Sequence, residues 1–391
     1  MAMYLLLLIA VVCNIIFNTT VPLTFGLRDG LATLSIAPIV VYFLFHCFFF
    51  KKIRFDKDAL WVILLAILIF GFKLAIGQDY LLKVIHLLVI PMVMSLCFNV
   101  LTKKELDLVR NLCILFFVAN CGLSIVERIF QQSFLWNPSA GDTEYWMDQG
   151  FFRSSSFLGH PLANAQITAV FITFITVSNF KKKYIQIFLF FLGYVSLFCF
   201  NVRGATLVVT AIAVPYFLWK INKTTPENKR WIIKLGVFCV VCGMIYMVTQ
   251  TSLGGRLMNM DLMDDSAQSR LEVFDFYNHY QTQDEFLWGD PGLYRYMMRK
   301  LGAGGVENGV IAMILDYGII FTIPMLLLLF RFQYRKLSIY SKLEKWILLA
   351  VFYLIATMNP NLAVAVQWTM WIYAYYVFRP ELLTAHTKDH Q

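Results

Sequence analysis

Residues 59–77 read ALWVILLAILIFGFKLAIG, an apolar run broken by a single charge, Lys73. As a helix rising 1.5 Å per residue, such a run spans about 30 Å, the depth of a bilayer's hydrocarbon core. Similar runs recur from end to end. They predict an all-α, polytopic integral membrane protein with about twelve spans, near 3–18, 31–50, 59–77, 81–101, 106–127, 162–180, 184–201, 204–219, 231–249, 309–330, 343–358 and 361–378. Composition agrees: of 391 residues 59% are hydrophobic, 16% aromatic and only 15% charged, and the mean hydropathy is +0.65. Soluble chains carry about 25% charged residues, so this one lacks the means to cover a water-facing surface. The whole of 1–391 is therefore expected to form one transmembrane domain, with no room for a large soluble one.

Lys and Arg fall unevenly on the connections. Those around 51–57, 103–104, 181–183, 220–230 and 331–342, with the C-terminal tail, hold nineteen, and the alternate connections hold ten. Cations mark the cytoplasmic side, so both termini are expected there. Fourteen of the nineteen are Lys, whereas eight of the ten on the other side are Arg. Topology needs only charge; Arg adds a planar fork that grips phosphate or carboxylate oxygens in pairs. The outer face thus reads as one suited to an anion, or as one where arginines merely snorkel to the interface.

Two outer connections are long, 128–161 and 250–308. The second carries nine acids and five cations, so any anion site in it must be local. Asp265 or Ser266 can cap a helix running to about Gln281, with Leu271, Phe274 and Tyr277 along one side, lying on the membrane surface. Several chemistries are disfavoured. The chain has no phosphate-binding G-x-x-x-x-G-K-[ST], no H-E-x-x-H and no G-x-S-x-G. Asp142-Thr143-Glu144 reads more readily as a solvated loop than as a metal site. The eight cysteines, including the Cys239–Cys242 pair, lie within or at the ends of apolar runs and read as small buried hydrophobes.

Arg203 stands in the brief connection Asn201-Val202-Arg203-Gly204, where a guanidinium is held at the bilayer edge as an anchor or an anion ligand. A second group is Arg153 and His160 ahead of Pro161, which can start a helix. His160, like His279, is either a general acid–base or simply polar. In Val306-Glu307-Asn308-Gly309 a carboxylate stands where a span begins, a place that the helix dipole favours and that also suits a base.

The order R-x-x-x-F-x-G-H-P-x-x-N (Arg153 to Asn164), V-R-G-A (Val202 to Ala205), S-R (Ser269-Arg270), W-G-D-P-G (Trp288 to Gly292), E-N-G (Glu307 to Gly309) and D-Y-G-I-I (Asp316 to Ile320) resembles the O-antigen ligase and polymerase superfamily. The resemblance implies a metal-independent glycosyltransferase, without cofactor, in the bacterial cytoplasmic membrane. It would act there on undecaprenyl pyrophosphate-linked oligosaccharides to make O-antigen or capsular polysaccharide. Membrane lipids and a chain-length regulator would be its partners, and nucleic acid would not. Arg203 and Arg270 would hold the pyrophosphate, with Arg256 as a third, and Glu307 would be the catalytic base. Arg153, His160, His279 and Asn308 would line the substrate. The ligase branch usually has a His where this chain has Glu307, which favours a polymerase over a ligase. A lipid-linked saccharide flippase or transporter is the alternative from another class; it would place charges near the bilayer midplane, where Lys73 and His86 are the nearest candidates.

Reporter fusions after Lys57, Lys183, Lys229 and Lys336 should report the cytoplasm, and fusions near Asp148 and Asp284 the opposite side. Cytoplasmic labelling at Asp284 would place the long loop away from such substrates.

Overall fold

The computed structural model describes residues 2–24, 37–50, 56–78, 81–135, 152–224, 231, 281–290, 292 and 308–379. The protein is all-helical, with no strand among the described residues. Its main helices are α1 (Ala2–Phe17), α2 (Ala37–Phe50), α3 (Lys57–Ala75), α4 (81–99), α5 (Lys103–Phe130), α6 (Pro161–Val177), α7 (Lys183–Phe200), α8 (Arg203–Thr224), α9 (Gln283–Trp288), α10 (Gly309–Tyr317), α11 (Ile319–Lys336), α12 (Lys342–Thr357) and α13 (Ala365–Val377). Eleven of the twelve expected spans fall on these helices; 231–249 lies outside the described residues, Trp231 excepted. Four of them, α3, α5, α7 and α8, are long and apolar enough to cross a membrane.

The reason is visible in α3. Ala59, Val62, Ala66, Ile69 and Lys73 are buried at helical spacing, yet Leu60, Trp61, Leu64, Ile67, Leu68 and Leu74 on the other side are exposed. A helix that is apolar on both its packed and its exposed face has no side made for water. In α4 and α8 a widened π-helical turn, Ile85–Val89 and Val209–Ala213, stands just ahead of Pro91 and Pro215. A proline ring collides with the carbonyl four residues back, here that of Leu87 or Ala211, and the extra residue in the turn moves that carbonyl aside.

The chain divides into two compact units. One comprises Met1–Ile114, Met263–Lys345 and Ala356–Leu382; the other comprises Leu115–Leu262, Trp346–Ile355 and Leu383–Gln391. In the first, α3 runs antiparallel to α11. At one end Asp58 binds Arg331 and Arg335, each at 3.1 Å, and Asp56 binds Lys336 at 2.6 Å. At the other end the Phe72 ring lies 5.2 Å from Phe321 and stacks on Trp288 at 4.7 Å. There the fully buried Lys73 ammonium donates to Gln78 Oε1 (2.9 Å) and to the carbonyls of Trp288 (2.5 Å) and Gly289 (3.0 Å). Lys83 pairs with the buried Asp316 at this end as well.

This match of α3 to α11 corrects one expectation. The run 309–330 is not a single helix: α10 ends at Gly318, whose φ is +75°, and α11 alone matches α3 from Asp58 to Phe72. Asn308 therefore caps a nine-residue helix, donated to by Val310 and Ile311.

The second unit is built on the α6–α7 hairpin. Gln186 Nε2 donates to the carbonyls of Ile175 (2.7 Å) and Ser178 (2.8 Å), closing it. Gly193 permits the close approach, since a Cβ there would stand 2.7 Å from both Ile172 Cγ1 and Phe117 Cζ. Phe190 stacks on Phe217 of α8 at 3.9 Å.

Gly318 and Gly289 touch backbone to backbone, and a Cβ on Gly318 would collide with the Leu287 carbonyl. Adding a left-handed penalty of about 1–2 kcal/mol to an overpacking cost of about 1–3 kcal/mol, Gly318→Ala should lose at least about 2 kcal/mol. A thermal melt of the purified protein would show it as a lowered Tm; an unchanged Tm would contradict this contact.

Candidate functional site

In the second unit α5 carries Asn120, Ser124 and Glu127 at i, i+4 and i+7, a polar stripe in the otherwise apolar stretch 112–126 and at its end. All three are buried. A buried polar group needs a partner, and the segment 152–160 supplies several. Glu127 Oε2 accepts the backbone N–H groups of Ser155 (2.9 Å) and Ser156 (2.8 Å), and its Oε1 accepts that of Phe134 (3.2 Å). Asn120 Oδ1 accepts the Ser156 hydroxyl (2.9 Å) and the Phe157 N–H (3.3 Å). The Ser154 hydroxyl donates to the Ser124 carbonyl (2.7 Å). Arg128, itself buried, donates to the carbonyl of Phe152.

These bonds hold a strained turn. Ser156 has φ +42°, a left-handed conformation that costs a residue with a Cβ about 1–2 kcal/mol. Its N–H bond to a carboxylate, charge-assisted and worth about 1.5–3 kcal/mol, offsets that cost. Gly159, at φ +64°, turns the chain into α6. His160 is the N-cap of α6, its Nδ1 accepting the Leu162 N–H at 3.2 Å, and Pro161 occupies the first helical position as the sequence suggests. Asn164, one turn on, donates to the carbonyls of Ser155 and His160.

The α7–α8 connection joins the same frame. Ser154 N–H donates to the Cys199 carbonyl at 3.1 Å. Two residues later Asn201 ends α7 in a left-handed conformation, φ +53°, and Arg203 is the first residue of α8. Arg153 thus sits between two residues whose backbones are fixed, Phe152 by Arg128 and Ser154 by Cys199. Arg203 follows four residues after Cys199. Both side chains are half-buried.

Of the residues that the sequence nominates, Arg153 and His160 stand in the segment this frame holds, Arg203 opens the helix after the connection bonded to it, and Asn308 belongs to the first unit. Glu307, Arg270, Arg256 and His279 lie outside the described residues, as do Asp142, Glu144 and most of the 265–281 segment. Among the described residues no group of three His, Cys, Asp or Glu side chains could hold a metal ion. Lys73, weighed above as a midplane charge, is a tether for backbone carbonyls. Glu127 and Asn120 were not nominated, although their helical spacing with Ser124 was readable. Compared with protein-family models, curated proteins and solved structures, the chain matches none.

Burial, and after it the positive charge of Arg153, push the His160 imidazole down to about 4. The ring is therefore neutral at pH 7, as its role as acceptor requires. The unfolded chain takes up this proton near pH 6.5 and the folded chain only near 4, so stability rises with pH across that window and is lost as pH falls through it. His160→Asn keeps an acceptor for the cap but does not titrate. It should flatten the dependence of Tm on pH between about 4 and 6.5; equal slopes in the two proteins would remove His160 as the source.

Proposed function

We propose that this chain is a polytopic membrane protein of about twelve spans that joins undecaprenyl pyrophosphate-linked oligosaccharide units on the outer face of the bacterial cytoplasmic membrane. The observation that carries the reading is the frame that holds Arg153 and Arg203 at one end of the second unit. Support for the topology comes from each unit taken alone. In the first, Asp56, Asp58, Arg331, Arg335 and Lys336 meet at one end, in connections that the charge bias places inside. Lys73, Lys83 and Asp316 meet at the other. In the second, Lys220 donates to the Val177 carbonyl at the Lys-rich end, whereas Arg128, Arg153 and Arg203 gather at the end opposite.

Breaking the bond between an anomeric carbon and pyrophosphate leaves negative charge on the departing oxygen. Fixed guanidinium groups in a half-buried site stabilise that charge as it develops. The acceptor sugar hydroxyl attacks the anomeric carbon and gives up its proton, for which Glu307 is the proposed base. The products are a lengthened lipid-linked saccharide and undecaprenyl pyrophosphate. Arg270 and Arg256 for the anion, and His279 and Asn308 for the sugars, are the further residues that the resemblance nominates.

Purified protein given lipid pyrophosphate-linked repeat units alone should yield a ladder of longer lipid-linked products. Arg203→Lys should lose most of it, at least about tenfold, because a point charge lacks the bidentate fork. Glu307→Gln should stop at the single unit while still binding it. No ladder until a non-isoprenoid acceptor is added would make the protein a ligase; full polymer length in a stably folded Arg203→Lys variant would leave Arg203 as an interfacial anchor.

A further inference from the structure

We infer that Glu127 is a positioning residue, whose buried carboxylate fixes the strained segment 154–157 and so sets where Arg153 stands at the anion site. The inference rests on the function proposed above and adds a residue that the sequence motifs do not contain.

Three observations point the same way. First, Glu127 is fully buried and its two oxygens accept three backbone N–H groups, those of Phe134, Ser155 and Ser156. A carboxylate is an acceptor only, and this one is committed to main chain, so its task is to hold chain rather than substrate. Secondly, the residue it holds most closely is the left-handed Ser156, which lies between Arg153 and His160. A strained backbone persists where its surroundings over-determine it, and it is found where geometry matters to function. Thirdly, the hold is continuous with both candidate groups. Ser154 is bonded to Ser124 and Cys199, and Asn164 links Ser155 to the His160 carbonyl.

Replacing Glu127 by Gln keeps the shape but turns one oxygen into a donor facing an N–H. With the full-length protein in detergent or nanodiscs, the measurement is the Kd for a short-chain polyprenyl pyrophosphate, taken for wild type, Glu127→Gln, Arg153→Ala and the double variant. Each single variant should weaken binding about tenfold. The double variant should be no weaker than Arg153→Ala, because Glu127 acts through Arg153. Glu127→Asp, which keeps the charge but draws the carboxylate back by one methylene from the Ser155 and Ser156 N–H groups, provides a second test should Glu127→Gln fail to fold. It should weaken binding about threefold and likewise not add to Arg153→Ala. Wild-type binding in a folded Glu127→Gln variant, or losses that multiply in the double variant, would overturn the inference while leaving the proposed function intact. A wild type that neither binds the probe nor builds a ladder would overturn both.

Discussion

Every helix end leaves backbone N–H or C=O groups without intrahelical partners, and next to lipid there is no water to take them. In each unit of this protein one buried charge takes up several such groups at once. In the first it is the Lys73 ammonium, whose three donors meet three oxygens: Gln78 and the carbonyls of Trp288 and Gly289. In the second it is the Glu127 carboxylate, which accepts three N–H groups from within the first long connection, one from Phe134 and two from Ser155 and Ser156. The choice of charge follows from what must be held. Carbonyls need a donor with several hydrogens, and N–H groups need an acceptor with several lone pairs. A neutral side chain offers fewer of either, and removing either partner leaves orphaned polar groups that cost about 1–3 kcal/mol each.

Once these junctions are fixed, the glycines around them are constrained too. Gly289 and Gly318, both at positive φ, bring two backbones into contact where Lys73 gathers the carbonyls. A side chain at either position would separate α9 from the start of α11 and draw the Trp288 carbonyl away from its ammonium. Phe72 and Trp288 then stack over the junction and exclude alternatives. The ion pairs at the opposite end of α3 are of a different kind. Arg331 and Arg335 are about half-exposed where they meet Asp58, so they contribute orientation more than stability.

How much of this was readable in the amino-acid order depends on which period was read. Spans are long apolar stretches, and α1 to α8 and α11 to α13 lie close to where hydropathy puts them. The break at Gly318 was hidden because 309–330 is apolar on both sides of it, and only tertiary contact with Leu287 and Trp288 reveals the turn. The motif from Arg153 to Asn164 was visible as a motif, and Pro161 marked the helix start. What the motif binds to lies on one face of α5, which the apolar run as a whole conceals. Asn120, Ser124 and Glu127 fall on one side of that helix, and three polar residues at that spacing within an apolar run announce a polar partner. Lys73 stands out as a charge in a span, but beside Gln78 its partners are main-chain carbonyls more than 200 residues away, which no local pattern records.

The frame also bears on which anions such an end could favour. Arginine loses about 2 kcal/mol of rotamer entropy when fixed, and a half-buried stem on a rigid backbone has already lost part of it before any ligand arrives. Arg153 stands between two anchored residues, and Arg203 opens a helix whose preceding turn is bonded to the same segment. On the function proposed above, two guanidinium forks on one frame would suit a ligand with two sets of oxygens. A monoanion with one pair of oxygens would engage one fork and gain little from the other. A diphosphate would engage both, and at the edge of a low-dielectric layer each contact would count for more than it does in water. Rigid placement of two forks, rather than an excess of positive charge, is thus what would separate a pyrophosphate from the simpler anions around it.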